Sequence, residues 1–427
     1  MPHVRTAFIW IFLAVWQVAG AQQTFQQFYP SAYELIYSIF SLGADPDPNE
    51  GLTVFLSTLV PMGGSAESMG MAYTAVARDA SFMELNPAAS AIQKSTQFAL
   101  FHNNWIADSR IEAAVYTLRF GGFGFGVGGK WLYLPFTERD DFGARVTTGY
   151  YSEVIGIGNM SVHLFPGYYF YGLAVGASAK LAFRSFPDYA DETGVVRPGS
   201  GASQSALATL IDAGALTKFN LLKFYQSREK NFSVGVAVKN IGPPIRGEAM
   251  PTLATVGLAY SPLKPILISA DISQPINLMN LSKSERFFWG IGYAMSITSF
   301  WELRAGFMFK GNNPRLSAGA SIELFPLTLD INYTLDLTTQ FSPLNRMSIS
   351  ARFDMGDMGR AERARQADEL YILGLDAYAS GDLETAVRLW TRSLELNPGF
   401  DPARESRATA LSALELQKRM LELQRLE

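Results

Sequence analysis

Strict alternation of apolar with small or polar residues, repeated in segments of about ten residues, constrains this chain more than any other feature. Tyr169, Tyr171, Leu173, Val175, Ala177, Ala179, Leu181 and Phe183 alternate with Phe170, Gly172, Ala174, Gly176, Ser178, Lys180, Ala182 and Arg184. Phe232, Val234, Val236 and Val238 alternate likewise against Asn231, Ser233, Gly235 and Lys239. The pattern returns over residues 302–310, 315–324 and 327–336. A period of two is a strand period, because successive side chains leave a pleated backbone on opposite faces. Beyond the N-terminus no run approaches the roughly eighteen apolar residues of a membrane helix, so helical spans are not expected.

Strand number and connection length turn this pattern into a barrel. About fourteen strand-length segments fit between Ser95 and Asp354, more and longer than a soluble sandwich uses. The even-numbered connections are tight: Gly121-Gly122, Phe165-Pro166-Gly167, Pro262-Leu263, Ser299 and Phe325-Pro326, with residues 220–230 as the exception. The odd-numbered ones are mostly longer, over residues 135–147, 187–202, 241–251, 274–285 and 337–345. Short turns on one side and long loops on the other mark a closed barrel in a membrane, where every backbone polar group is paired. The predicted fold is an all-β transmembrane barrel of about fourteen antiparallel strands over residues 94–355. Lys180, Arg184, Lys239, Asp271, Glu302, Arg304, Arg315, Asp330 and Arg352 are expected to form a polar channel wall.

The N-terminus sets the compartment. Residues 1–21 have a basic start (His3, Arg5), an apolar run, and Ala19-Gly20-Ala21. They read as a secretory signal peptide cleaved after Ala21. The sequence has no cysteine, which excludes disulfides, thiolate metal sites and a lipoprotein signal. Export without a helical span points to an outer membrane and its lipid. A net charge of −4 gives no reason to expect nucleic acid. His102 and His163 lack a second ligand at metal spacing, and no nucleophile-elbow motif is present. No enzyme activity, cofactor or metal is therefore expected.

Residues 22–93 precede the first strand. Residues 31–40 read as a short helix with Ser31 as its cap. Residues 45–51 form a turn, and misplaced prolines and Leu56 at the would-be twelfth position exclude a calcium loop. A small-residue run (Gly63, Gly64, Ser65, Ala66) then leads into Met69-Gly70, Ala72-Tyr73, Asp79-Ala80-Ser81 and Asn86-Pro87-Ala88. This stretch resembles the N-terminal segment of the FadL-like long-chain fatty acid transporter family, which includes spirochaete paralogues and PorV-type secretion barrels. It departs from that family at Ala89, where glycine is common, and in continuing well past the last strand. The resemblance implies an N-terminal hatch folded inside the barrel, with Asn86, Pro87 and Ala88 as its motif. Such a small-residue segment can pack closely in a lumen, Asn86 can bond backbone groups, and Pro87 fixes the chain direction. Asn86-Pro87 also reads as a turn into the first strand.

Gly124, Gly126 and Gly129 match G-x-G-x-x-G, but Lys130-Trp131-Leu132 continues a strand where a dinucleotide site needs a helix. Glycine inside a strand marks a kink or a close backbone approach. In FadL-like transporters a kinked third strand opens a side exit. The resemblance implies that Gly124, Gly126, Gly128 and Gly129 shape such an opening; relief of crowding on the wall is the other reading.

After Asp354 the pattern changes. From Arg360 onward about a third of the residues are charged, against 17% overall, and helical spacing replaces alternation. Residues 367–400 fit a tetratricopeptide repeat. Leu370, Leu373, Gly374 and Ala377 suit its first helix, Ala386, Trp390 and Ser393 its second, and Asn397-Pro398 its end. A further helix is expected over residues 402–426. A lone repeat covers its apolar face poorly, so the further helix caps it or a periplasmic protein binds there; a plain helical hairpin that stabilises itself is the other reading. Connection parity puts the N-terminus and the 360–427 tail together in the periplasm. The family resemblance implies transport of hydrophobic molecules, long-chain fatty acids foremost, which enter from outside, move the hatch and leave sideways. The alternatives are a PorV-type scaffold recruiting partners through its tail, and a general porin, which a hatch opposes.

Overall fold

The alternating segments form strands that close on themselves. The computed structural model describes residues 47–105, 108–139, 142–185, 189–190, 196–197, 205–310, 313–337 and 346–426. The expected signal peptide with Ala21, the expected helix at residues 31–40, and Asp45-Pro46 lie outside the described residues. The strands are β1 (Gln97–Asn104), β2 (Arg110–Phe120), β3 (Phe123–Arg139), β4 (Arg145–Leu164), β5 (Leu173–Ser185), β6 (Ala206–Phe219) and β7 (Phe232–Ile241). They continue as β8 (Thr252–Tyr260), β9 (Ile266–Ile276), β10 (Phe288–Ser296), β11 (Trp301–Lys310), β12 (Asn313–Leu324), β13 (Leu327–Asp336) and β14 (Arg346–Asp354). Neighbours pair antiparallel, and β1 pairs with β14 from Gln97↔Asp354 to Asn104↔Met347, so the barrel of fourteen strands has no open edge.

The two rows of the sequence are the two faces of this wall. Leu181, Leu207, Ile211, Val256, Ile272 and Ile331 are exposed on the outside, as a wall immersed in lipid requires. Lys180, Asp271, Arg304 and Asp330 are buried on the inside. Two local departures stand out. The expected loop at residues 135–147 is largely strand: Pro135 pairs with Tyr150 and the ladder reaches Arg139↔Arg145. Aromatic and β-branched residues on both strands, Trp131, Tyr133, Thr137 and Tyr150 among them, favour that extension. Between β6 and β7 the register shifts between Ile211 and Ala213, where the buried carboxylate of Asp212 accepts a bond from the Asn240 N–H at 2.7 Å.

The barrel is not empty. Residues 47–51 lie at the long-loop mouth, against the β9–β10 connection. There the Arg286 N–H donates to Asp47 Oδ2 at 2.6 Å and the Gly51 N–H to Glu285 Oε1 at 3.2 Å. The chain then descends through a 3-10 turn (Leu56–Leu59), α1 (Ser65–Ser68) and two more 3-10 turns (Ala80–Glu84 and Pro87–Ile92), and reaches β1 at the short-turn mouth. Gln97 at the start of β1 pairs with Asp354 at the end of β14, so the two ends of the barrel share the mouth from which the tail leaves. The described segment crosses the lumen once before the barrel begins, so its start and the tail lie at opposite mouths.

The tail forms α2 (Arg360–Ala379), α3 (Leu383–Leu396) and α4 (Asp401–Leu426). Asp382 caps α3 by accepting from the Thr385 N–H at 3.0 Å. Trp390 is buried with Ala386, packs onto Gly374, and donates from Nε1 to the Tyr371 carbonyl at 3.1 Å. Leu370 is half-buried, and Pro398 is exposed beyond the end of α3. Trp390→Ala removes the centre of this small core and is expected to cost about 3–5 kcal/mol. Circular dichroism should lose helix while the barrel keeps its folded, heat-modifiable migration; unchanged helix content would refute the assignment.

The helices rest on the short turns. The Asp401 carboxylate accepts from the Tyr168 N–H at 2.9 Å, and the Tyr168 and Phe400 rings lie 5.6 Å apart. Arg228 pairs with Asp368. The Arg360 guanidinium donates to the carbonyls of Arg119 at 2.8 Å and Lys94 at 2.6 Å.

Candidate functional site

The candidate site is the lumen and the segment that fills it. Close packing there depends on inward glycines. A Cβ at Gly124 of β3 would lie 2.0 Å from the Ser90 carbonyl carbon, and one at Gly306 of β11 would lie 2.1 Å from the Gly70 nitrogen. The segment therefore presses its backbone against both sides of the barrel.

Asn86, Pro87 and Ala88 sit together against β4, β5 and β6. Asn86 is fully buried; its Nδ2 donates to the carbonyls of Thr74 at 2.9 Å and Ala215 at 3.2 Å, and its Oδ1 accepts from the Ala88 N–H at 3.1 Å. The Pro87 carbonyl accepts from Asn159 Nδ2 at 2.9 Å. The Ser161 hydroxyl meets the Ser90 hydroxyl at 2.6 Å and accepts from the Ala91 N–H at 2.7 Å. The asparagine thus caps a turn and fastens it to the wall at once.

The glycines of β3 are divided between the faces. Gly124 and Gly126 point inward against the luminal segment, and Gly128 inward against Val115, while Gly129 faces out. The β2–β3 ladder runs unbroken from Arg110↔Tyr133 to Phe120↔Phe123. Pairing with β2 is continuous through all four glycines. The small size of Gly124 and Gly126 answers to the close approach of Ser90, Ala91 and Met83.

Ionic contacts complete the attachment. Arg352 pairs with Asp79 of the segment at 3.0 Å and with Asp330 at 2.9 Å. Asp330 also pairs with Arg304 at 2.7 Å. Arg304 donates to the Ser65 hydroxyl at 2.8 Å, and Arg78 pairs with Glu302. On β9 the Asp271 carboxylate accepts from the N–H groups of Tyr73 at 3.1 Å and Thr74 at 2.9 Å. On β3 Lys130 pairs with Glu84 and donates to the Val60 carbonyl at 2.7 Å. Buried charges persist only when paired, so the fully buried contacts, Arg304 with Asp330 foremost, are costly to break singly.

Several residues expected to line a polar channel, namely Asp271, Glu302, Arg304 and Arg352, instead hold the luminal segment, and Asp330 braces Arg304 and Arg352 behind it. The expectation missed Lys130 and Asp212 on the wall and Arg78, Asp79 and Glu84 on the segment. The Arg78-Asp79 dipeptide, set among alanines, was the available signal: charges in a small-residue stretch require partners. Beside Arg78 a cavity of about 280 Å³ opens at the short-turn mouth.

Strands, closure and filling define a plugged transmembrane barrel. The chain belongs to the uncharacterised protein family UPF0164, which matches residues 43–356 and so stops before α2. One UPF0164 protein of Treponema pallidum (strain Nichols) is 29% identical over 390 residues, covering 87% of this chain and 85% of its own length. A second is 25% identical over 395 residues, covering 84% and 76%. Among solved structures the CymD monoaromatic hydrocarbon channel is similar at a TM-score of 0.48 and 13% identity, covering 70% of this chain and 98% of that one. A Pseudomonas aeruginosa FadL homologue is similar at 0.42 and 12%, covering 68% and 97%.

Proposed function

We propose that this protein carries hydrophobic molecules, long-chain fatty acids foremost, across an outer membrane through a barrel closed by its own N-terminal hatch. One observation carries the reading. The luminal segment crosses from mouth to mouth and is tied to opposite walls, at Glu84 to β3 and at Tyr73 and Thr74 to Asp271 of β9. A lumen filled and fastened in this way does not suit a general porin. It suits selective passage, in which a ligand's binding energy loosens the hatch. The clamp at Asn86, Pro87 and Ala88 coincides with the stretch that resembles FadL-like transporters. A sideways exit at Gly124 to Gly129 would require the β2–β3 ladder to part in another state.

Labelled palmitate should bind saturably to the refolded protein, and binding should change when residues 22–91 are removed. Absence of saturable binding to the intact protein would sink the reading. A second reading, a scaffold recruiting a periplasmic protein through a tetratricopeptide-like tail, is favoured by α4, whose Leu416, Met420, Leu421 and Leu423 are all exposed. That reading gains if palmitate does not bind and if one periplasmic protein co-purifies with the whole chain but not after removal of residues 360–427.

A further inference from the structure

The short-turn mouth is closed on one side and open on the other. The tail rests on the turns after β2, β4 and β6, through Arg360, Asp401 and Asp368. The Pro87–Ile92 turn fills the lumen behind them. Across the mouth, under the turns after β10 and β12, lies the cavity of about 280 Å³. Its inner end carries Arg78, Arg352 and Glu302, and its rim carries Phe300, Phe325 and Pro326.

The two guanidinium groups differ. Arg352 is 13% exposed and bound by both Asp79 and Asp330. The Arg78 side chain is 38% exposed, and its one ion-pair partner among the described residues is Glu302. Glu302 has a second neighbour in Arg304 Nη1, at 3.5 Å, so it is not stranded if Arg78 leaves it. Phe300 and Phe325 are exposed at the rim, where the barrel wall meets the turns. One cavity thus offers an exchangeable cation at one end and an aromatic edge beside the membrane at the other.

We propose that this cavity is the release site of the transported molecule and that it takes a single-chain amphiphile with a carboxylate head. The carboxylate replaces Glu302 on Arg78, and the chain lies across Phe300 and Phe325 toward the lipid. Arg78 adjoins Asp79, which anchors the segment to Arg352, so exchange at Arg78 acts directly on the hatch. This inference rests on the transport reading and deepens it by naming a release site and a route. The route lies away from β2 and β3, whose shared ladder is unbroken.

The test is photocrosslinking of diazirine-bearing palmitate to the whole protein in phospholipid nanodiscs, with labelled peptides mapped by mass spectrometry. Label is expected on residues 296–302 and 321–328, displaced by palmitate and poorly by hexadecanol. Arg78→Gln should lower that labelling about tenfold, the scale of one charge-assisted hydrogen bond. Glu302→Gln should raise it, a change that misfolding does not produce. Label confined to β2–β4, equal displacement by hexadecanol, or unchanged labelling in Arg78→Gln would each overturn this site and leave hydrophobic transport standing. No saturable labelling anywhere would overturn the transport reading, and this inference with it.

Discussion

Asp330→Ala is expected to destabilise the barrel by about 3–5 kcal/mol, the cost of removing one member of a buried ionic cluster. Asp330 is fully buried. It accepts from Arg304 Nη2 at 2.7 Å, from Arg352 Nε at 2.9 Å and from the Ser350 hydroxyl at 3.0 Å. Alanine leaves two guanidinium groups facing each other with one anion fewer between them. Arg352 keeps Asp79 at 3.0 Å and Arg304 keeps the Ser65 hydroxyl at 2.8 Å, so the luminal segment stays attached but its anchors repel. Urea titration of the refolded protein should show the loss, and limited proteolysis should cut residues 62–93 sooner. Asp330→Asn keeps an acceptor and should lose less. A loss below about 1 kcal/mol for the alanine variant would mean that water already solvates the cluster.

The wall was legible in the sequence and its filling was not. Period two places Lys180, Arg304 and Asp330 on one face whatever the tertiary structure, because the pleat alone decides it. What meets those side chains is another matter. Asp79 reaches Arg352, and Tyr73 reaches Asp271, across separations that no local pattern records. The luminal segment is built of short turns, so it has no period to read. The Asn86 clamp lies in the stretch that resembles FadL-like transporters, and the reading of Asn86-Pro87 as a turn describes the same atoms. Gly124, Gly126 and Gly128 were visible as unusual. Sequence could not separate a kink from a close approach, since both exclude a Cβ. The side from which the segment enters was hidden for a related reason: connection parity orients strands and says nothing of the chain that precedes them.

Gly124→Val separates those two readings of glycine. The new Cβ would lie 2.0 Å from the Ser90 carbonyl carbon and 2.1 Å from the Ala91 nitrogen. Both are backbone atoms, so no side-chain rotation relieves the clash. Either β3 leaves its ladder or the Pro87–Ile92 turn withdraws. The ladder holds Gly124 between Arg119 and Ser161 through main-chain pairing that valine does not disturb. The turn is held here by Ser161, which meets the Ser90 hydroxyl and the Ala91 N–H. Those bonds are worth about 1–3 kcal/mol when broken in a buried place, less than unzipping a strand. The turn is therefore expected to yield, and the lumen to open beside β3. Planar bilayers should record ion conductance from Gly124→Val and little from the parent protein, with barrel assembly intact by heat-modifiable migration. Gly156→Val is the control: Gly156 lies on the outer face of β4 with nothing within 4 Å of an added Cβ, so it should behave as the parent does. An assembled Gly124→Val barrel that stays closed would show that the fit of Ser90 and Ala91 against β3 is not what seals the lumen.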